Sequence, residues 1–202
     1  YSELKRKVED SKDPLRTAVR FAITGNIIDY GALQEFNLKK TIKEDLKKKF
    51  AIDDYEKFKE DLKDAKSLLF FTDNAGEIGF DKLLVETMLK EKRFERIRFV
   101  VKGGPIINDA TLEDAIYMGL GVLPNVEFLT VSNGEVGTGP KRSSQKVKGW
   151  IEEHDLVISK GQGNYEGLSE HHGIFFMLIA KCPVIASDLG VDAKDIVLRY
   201  RP

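Results

Sequence analysis

The sequence predicts an α/β fold, a mostly parallel sheet wrapped by helices on both faces with a helical segment in front of it. From residue 67 onward, short runs rich in β-branched and aromatic residues alternate with stretches of helical periodicity, the pattern of strand, crossover helix and parallel strand. The N-terminal third, by contrast, reads as helices throughout. With 202 residues, 42% of them apolar, the chain can bury a core unaided, as one generous domain or one domain with a small appendage. The division expected is a helical segment over 1–66 and an α/β core over 67–202.

The opening YSELKRKVED is a charged helical pattern that begins at Tyr1 and not at Met, so the sequence reads as a piece of a longer protein. Asp13-Pro14 supplies a cap and a first-turn proline for Leu15, Ala18, Val19 and Ala22, and Gly25 supplies a stop. Thr41 with Glu44 resembles a capping box on a stripe of Leu38, Ile42, Leu46 and Phe50. Asp53-Asp54 precede another stripe, Tyr55, Phe58, Leu62 and Ala65. The strand candidates are SLLFFTD (67–73), RIRFVVKG (96–103), NVEFLTV (125–131), DLVISKG (155–161), CPVIASD (182–188) and DIVLRY (195–200). Helices are expected between them in GFDKLLVETMLKEK (79–92), ATLEDAIYMGLG (110–121), RSSQKVKGWIEEH (142–154) and LSEHHGIFFMLIA (168–180).

Charge and cysteine usage exclude several functions. The chain carries 32 Lys+Arg against 33 Asp+Glu, so its long-range field is near neutral and nucleic acid is disfavoured as an obligate partner. The lone Cys182 cannot form an internal disulfide, and no Cys or His cluster has zinc-ligand spacing, which fits a reducing cytoplasm. The apolar run IFFMLIA (174–180) is far shorter than the roughly 20 residues of a membrane span, and there is no secretory signal or lipidation box. Abundant Lys and Glu with only three Gln is the composition of a heat-adapted protein.

In open parallel sheets ligands bind beyond the carboxyl ends of the strands, so the residues after each strand form one candidate site. Here they are Asp73-Asn74-Ala75-Gly76-Glu77, Lys102-Gly103-Gly104 with Asn108-Asp109 soon after, Ser132-Asn133-Gly134, and Lys160-Gly161-Gln162-Gly163-Asn164. Glycines allow backbone N–H groups to approach a ligand, the lysines offer charge to an anion, and the Asp/Asn oxygens suit a hard divalent ion. Together they point to a metal and a phosphate. Each has a plainer explanation: Asp73-Asn74 as a turn, Asp109 as the cap of the helix that follows, Lys102 and Lys160 as solvated strand ends. Their coincidence at one end of successive strands favours the site.

Other features carry less. GEVGTGPKRSS (134–144) approaches a Walker loop, but Pro140 between Gly139 and Lys141 breaks its spacing, and it reads as a loop bordering the site. His171-His172 are consecutive and point apart, His154 reads as a helix-end residue, Cys182 as a packed thiol, and Trp150 with Val147 and Ile151 as a core stripe. A nicotinamide or S-adenosylmethionine fold wants G-x-G after the first strand and an acid after the second; the sequence gives DNAGE and then Lys102.

DNAGE (73–77), KGGPIINDAT (102–111) and SKGQGNYEGL (159–168), with AITGNIIDYGA (22–32) before them and DIVLRY after, resemble the metal-dependent damage-control phosphatases, closest to the small archaeal members. The resemblance implies a three-layer αβα sandwich with a Rossmann-like sheet, one divalent cation (Mn²⁺, Ni²⁺, Co²⁺ or Mg²⁺), and hydrolysis of phosphomonoesters on small metabolites. It places the metal ligands on Asp73, Asn74 and Asp109 and substrate contacts on Glu77, Lys102, Lys160 and Asn164, and Asn133 at the third strand end is counted with the substrate-binding set. Asp73 is the acid expected either to attack phosphorus or to activate a water, with Asn74 beside it. The alternatives are a carboxylate-directed methyltransferase, against which the missing glycine-rich loop speaks, and a non-catalytic binder of phosphometabolites. The chain departs from archaeal relatives in lacking a leading helical segment with a Cys-x-x-Cys pair.

Overall fold

The structure, a computed structural model, describes residues 1–25, 48–131 and 145–202. Helix α1 (Ser2–Glu9) leads to α2 (Pro14–Thr24), where the Asp13 side chain accepts from Arg16 N at 2.9 Å and Pro14 occupies the first turn. A short strand β1 (Phe50–Asp53) and α3 (Tyr55–Asp64) follow. Next come β2 (Ser67–Phe71), a 3-10 turn (Ala75–Glu77) running into α4 (Ile78–Glu91), β3 (Arg96–Lys102) and α5 (Leu112–Tyr117). The remaining elements are β4 (Val126–Val131), α6 (Gln145–Glu152), β5 (Leu156–Lys160), α7 (Gln162–Leu168), β6 (Ile174–Ile179), α8 (Pro183–Leu189) and β7 (Ile196–Arg201).

The strands form one sheet in the order β1-β7-β6-β5-β2-β3-β4. Five neighbouring strands, from β6 to β4, are parallel; β7 runs antiparallel to β6, and β1 pairs parallel with β7. Side chains alternate between two hydrophobic layers. Leu68, Phe70, Ile97, Phe99 and Ile158 face one layer, which α1 to α5 cover, while Leu69, Phe71, Val100 and Val157 face the other, under α6, α7 and α8. This is the three-layer αβα sandwich. Val8, Leu15, Phe21, Tyr55 and Phe58 from the first 66 residues lie in the same layer as Leu68 and Phe70, and β1 adds a strand there.

At the amino end of the sheet, the Asp155 carboxylate accepts from Lys66 N, Ser67 N and Ser67 Oγ, each at 2.9 Å, and fixes β2 against β5 in the register Leu68↔Leu156 to Phe71↔Ser159.

Three expectations change. LSEHHGIFFMLIA is not a helix: Ile174–Ile179 is a strand buried at every position, and six consecutive apolar residues suit a strand covered on both faces. CPVIASD is not a strand but helix α8, with Pro183 in its first turn and Gly190 in the left-handed conformation beyond its end. Residues 162–168, where no helix was expected, form α7. Thr41, Glu44, Leu38, Ile42 and Leu46 lie outside the described residues, and Phe50, placed at the end of that helical stripe, instead begins β1.

Candidate active site

Strand order reverses around β2: the chain proceeds outward through β3 and β4, then returns to place β5 on β2's other side. Such a switch point opens a crevice at the carboxyl ends of the two central strands. Asp73 follows β2 and Gly161 follows β5, and the two touch. Gly161 has φ +80, and a Cβ there would fall 2.0 Å from Asp73 Oδ2, so glycine alone lets the carboxylate occupy this place. Asn164 ties the strand ends together, its Nδ2 donating to Thr72 O and Lys160 O at 2.8 Å.

Residues 108–111 lie against the end of β2. Ala75 N donates to Asn108 O, Ala110 N to Asp73 O and Lys102 N to Ala110 O, and an isolated bridge pairs Asn74 with Asp109. Asp109 is not the cap of α5. Thr111 fills that role in a capping box with Asp114, so the plainer explanation of Asp109 falls away, and the Asp109 backbone is bridged to Asn74. Lys102 Nζ lies 3.4 Å from Asp109 Oδ2, and both side chains are half-buried.

The Asn74 amide donates through Nδ2 to Asp73 Oδ2 at 3.0 Å and to Glu77 Oε1 at 2.8 Å, leaving its carbonyl Oδ1 as the end that can ligate a cation. Two carboxylates and an amide carbonyl carried on this bridged backbone are oxygen donors of the kind that suits a hard divalent ion. No group of three or more His, Cys, Asp or Glu that could hold a metal occurs among the described residues. The set relies on the amide of Asn74.

Lys160 is not a solvated strand end. Continuing the face of Leu156 and Ile158 toward α4, its ammonium is 0% exposed between Glu77 Oε2 at 2.9 Å and Asp81 Oδ1 at 2.7 Å. Burial works against its charge, but the Asp81 and Glu77 carboxylates outweigh burial and hold it above the ordinary lysine range. Burial pushes the Asp81 carboxyl up to about 6, Glu77 adding to the push and Lys160 opposing it. Sequence reasoning missed Asp81. Its signal was Glu77 and Asp81 four apart on one helical face, a like-charged pair that needs a cation between them.

Asp73, Asn74, Glu77, Lys102, Asp109, Lys160 and Asn164 thus converge; Asn133 and the 134–144 segment lie outside the described residues. His154, His171 and His172 precede β5 and β6, at the opposite end of the sheet. Cys182 stands at the start of α8, where Gln162 Oε1 accepts from Lys181 N and Cys182 N.

Residues 1–197 match the family described as damage-control phosphatase ARMT1-like domain. The chain belongs to that family. Damage-control phosphatases are metal-dependent enzymes that act on damaged metabolites. The chain is 39% identical over 202 residues to an uncharacterized protein of Methanocaldococcus jannaschii, covering 96% of this chain and 65% of that one. It is 40% identical to a damage-control phosphatase of Archaeoglobus fulgidus, covering 96% of this chain and 68% of the relative. The crystal structure of a DUF89 family protein from Pyrococcus horikoshii superposes with a TM-score of 0.81 at 37% identity, over 99% of this chain and 72% of that one. The chain therefore spans about two thirds of the length of these relatives. None of its described helices is long and apolar enough to cross a membrane.

Proposed function

We propose that this chain hydrolyses phosphomonoesters of small metabolites with one divalent cation (Mn²⁺, Ni²⁺, Co²⁺ or Mg²⁺) held by Asp73, Asn74 and Asp109. The observation that carries this reading is the meeting of Asp73-Asn74 with Asp109 and Lys102 at the switch point of the sheet. The cation supplies charge neutralisation at a phosphate oxygen. Lys102, half-buried at the opening, meets the other phosphate oxygens, and Lys160, enclosed by Glu77 and Asp81, supports the site from beneath. Asn164 holds the two strand ends at the distance this requires. Asp73 acts on the reacting phosphorus, either through its own carboxylate oxygen or by taking a proton from water; trapping a phosphoaspartate separates the two. The described parts of residues 1–66, helices α1 to α3 with strand β1, support reading them as a helical segment in front of the 67–202 core, and the single cysteine and the Lys- and Glu-rich composition support a cytoplasmic, heat-adapted enzyme.

The test is phosphate release from p-nitrophenyl phosphate with and without each cation, in the wild type and in Asp73→Asn at saturating metal. Turnover should require the cation and fall on the order of a hundredfold or more in Asp73→Asn with the melting temperature retained. Metal-independent release, or wild-type turnover in Asp73→Asn, would overturn the assignment.

A further inference from the structure

Behind the proposed ligands a line of buried polar groups runs into the protein. Asp81 Oδ1 accepts from Lys160 Nζ at 2.7 Å, Glu77 Oε2 accepts from the same ammonium at 2.9 Å, and Glu77 Oε1 accepts from Asn74 Nδ2 at 2.8 Å. We infer that Asp81 is a positioning residue for the metal site: by anchoring Lys160 it fixes Glu77, and Glu77 fixes the Asn74 amide with its carbonyl oxygen toward the ligand position. The inference rests on the ligand assignment proposed above.

An amide presents two ends of nearly equal size, and only the oxygen can bind a cation. Glu77 selects the end by accepting from Nδ2 through Oε1, in a site where its side chain is 1% exposed. Lys160, donating to Oε2, holds that side chain in place. An ammonium with a single carboxylate partner would be free to follow it; Asp81, one turn further along α4, holds the ammonium from a second direction. Stability alone does not account for Asp81. Two carboxylates around one lysine leave an excess negative charge in the interior, and Asp81 Oδ2 is buried with no partner. Burying charge this way is unfavourable, and a neutral side chain of the same volume relieves it. What the charge provides is orientation at a distance, as outer carboxylates do for the ligands of metal sites.

The experiment is calorimetric titration of Mn²⁺ into the full chain for the wild type, Asp81→Asn, Lys160→Met and the double variant, with thermal melting of each. Asp81→Asn should stay folded and bind Mn²⁺ roughly tenfold or more weakly, the usual loss when an outer partner of a metal ligand is removed. In the Lys160→Met background the same change should alter affinity less than about twofold, because Asp81 acts only through the ammonium. Unchanged affinity in folded Asp81→Asn, or an equal loss in both backgrounds, overturns the inference. If Asp81→Asn does not fold, the double variant, which removes both charges, carries the comparison: equality with Lys160→Met supports the inference and a further drop refutes it. A wild type that binds no Mn²⁺, or binding untouched by Asp109→Ala, overturns the ligand assignment itself. Intact wild-type binding with no effect of Asp81 overturns this inference alone.

Discussion

Adding one methyl group at Gly161 tests the contact between the two central strands. Gly161 sits at φ +80, ψ 165, a region populated almost solely by glycine, so alanine there costs about 1–3 kcal/mol in backbone strain. Its Cβ would also stand 2.0 Å from Asp73 Oδ2, 2.1 Å from Cγ and 2.6 Å from Oδ1. Ordinary contact begins at 3.4 Å, so the carboxylate must retreat by 1.4 Å, the difference between 3.4 and 2.0. A displacement of about 1 Å at a reacting group can cost roughly 100-fold in rate. Gly161→Ala should therefore lose at least that much p-nitrophenyl phosphate turnover at saturating Mn²⁺. Its melting temperature should fall by only about 2–12 °C, since 1 kcal/mol corresponds to roughly 2–4 °C at this chain length. Gly163→Ala is the control, because a Cβ there meets nothing within 4 Å, and it should be active and no less stable. Turnover in Gly161→Ala within about threefold of wild type would refute the placement of Asp73 against β5.

Asp109→Ala should lose stoichiometric metal on dialysis, measured by elemental analysis; retained metal would reduce Asp109 to scaffolding. Lys160→Ala strands two buried carboxylates and should destabilise by about 3–5 kcal/mol in urea unfolding, whereas a loss near zero would contradict the enclosure of the ammonium. The Asp81 carboxyl, raised from 3.8 to about 6, takes up a proton in the folded state before it does in the unfolded chain, so this group's contribution to stability falls as pH rises through that window. The displacement corresponds to about 3 kcal/mol, and Asp81→Asn should remove it; unfolding free energies of variant and wild type that stay parallel between pH 4 and 7 would refute this.

The parts of the fold legible in the sequence were those with one clear period. Alternating runs such as RIRFVVK read directly as strands, and α4 as a helix, because each signal exceeds the length of a turn. The apolar run 174–179 carries no period at all, and only its position between two strands makes it a strand. Helix α7 is seven residues with two glycines, too weak a helix former to announce itself, and packing of Tyr165 and Leu168 sustains it. The candidate site was largely readable because its acids, amides and lysines follow strands. The burial of Lys160 was missed, although period two puts it on the face of Leu156 and Ile158. Asp81 carried only its four-residue spacing from Glu77 as a signal, and its contact with Lys160, like the cap at Thr111 that releases Asp109, is fixed by tertiary packing.

The position of β2 between β3 and β5 also sets an order of assembly. The 84 residues between Phe71 and Leu156 take roughly 4–17 s to synthesise at about 5–20 residues per second. Over that interval β2 can pair with β3 while its other edge, lined by residues buried in the finished protein, waits uncovered. A nascent chain halted there holds Asp73, Asn74 and Asp109 but neither Lys160 nor Gly161, so it exposes a sticky edge before it possesses a working crevice. On the proposed function, catalytic competence arrives late, with the same closure that removes the hazard of aggregation.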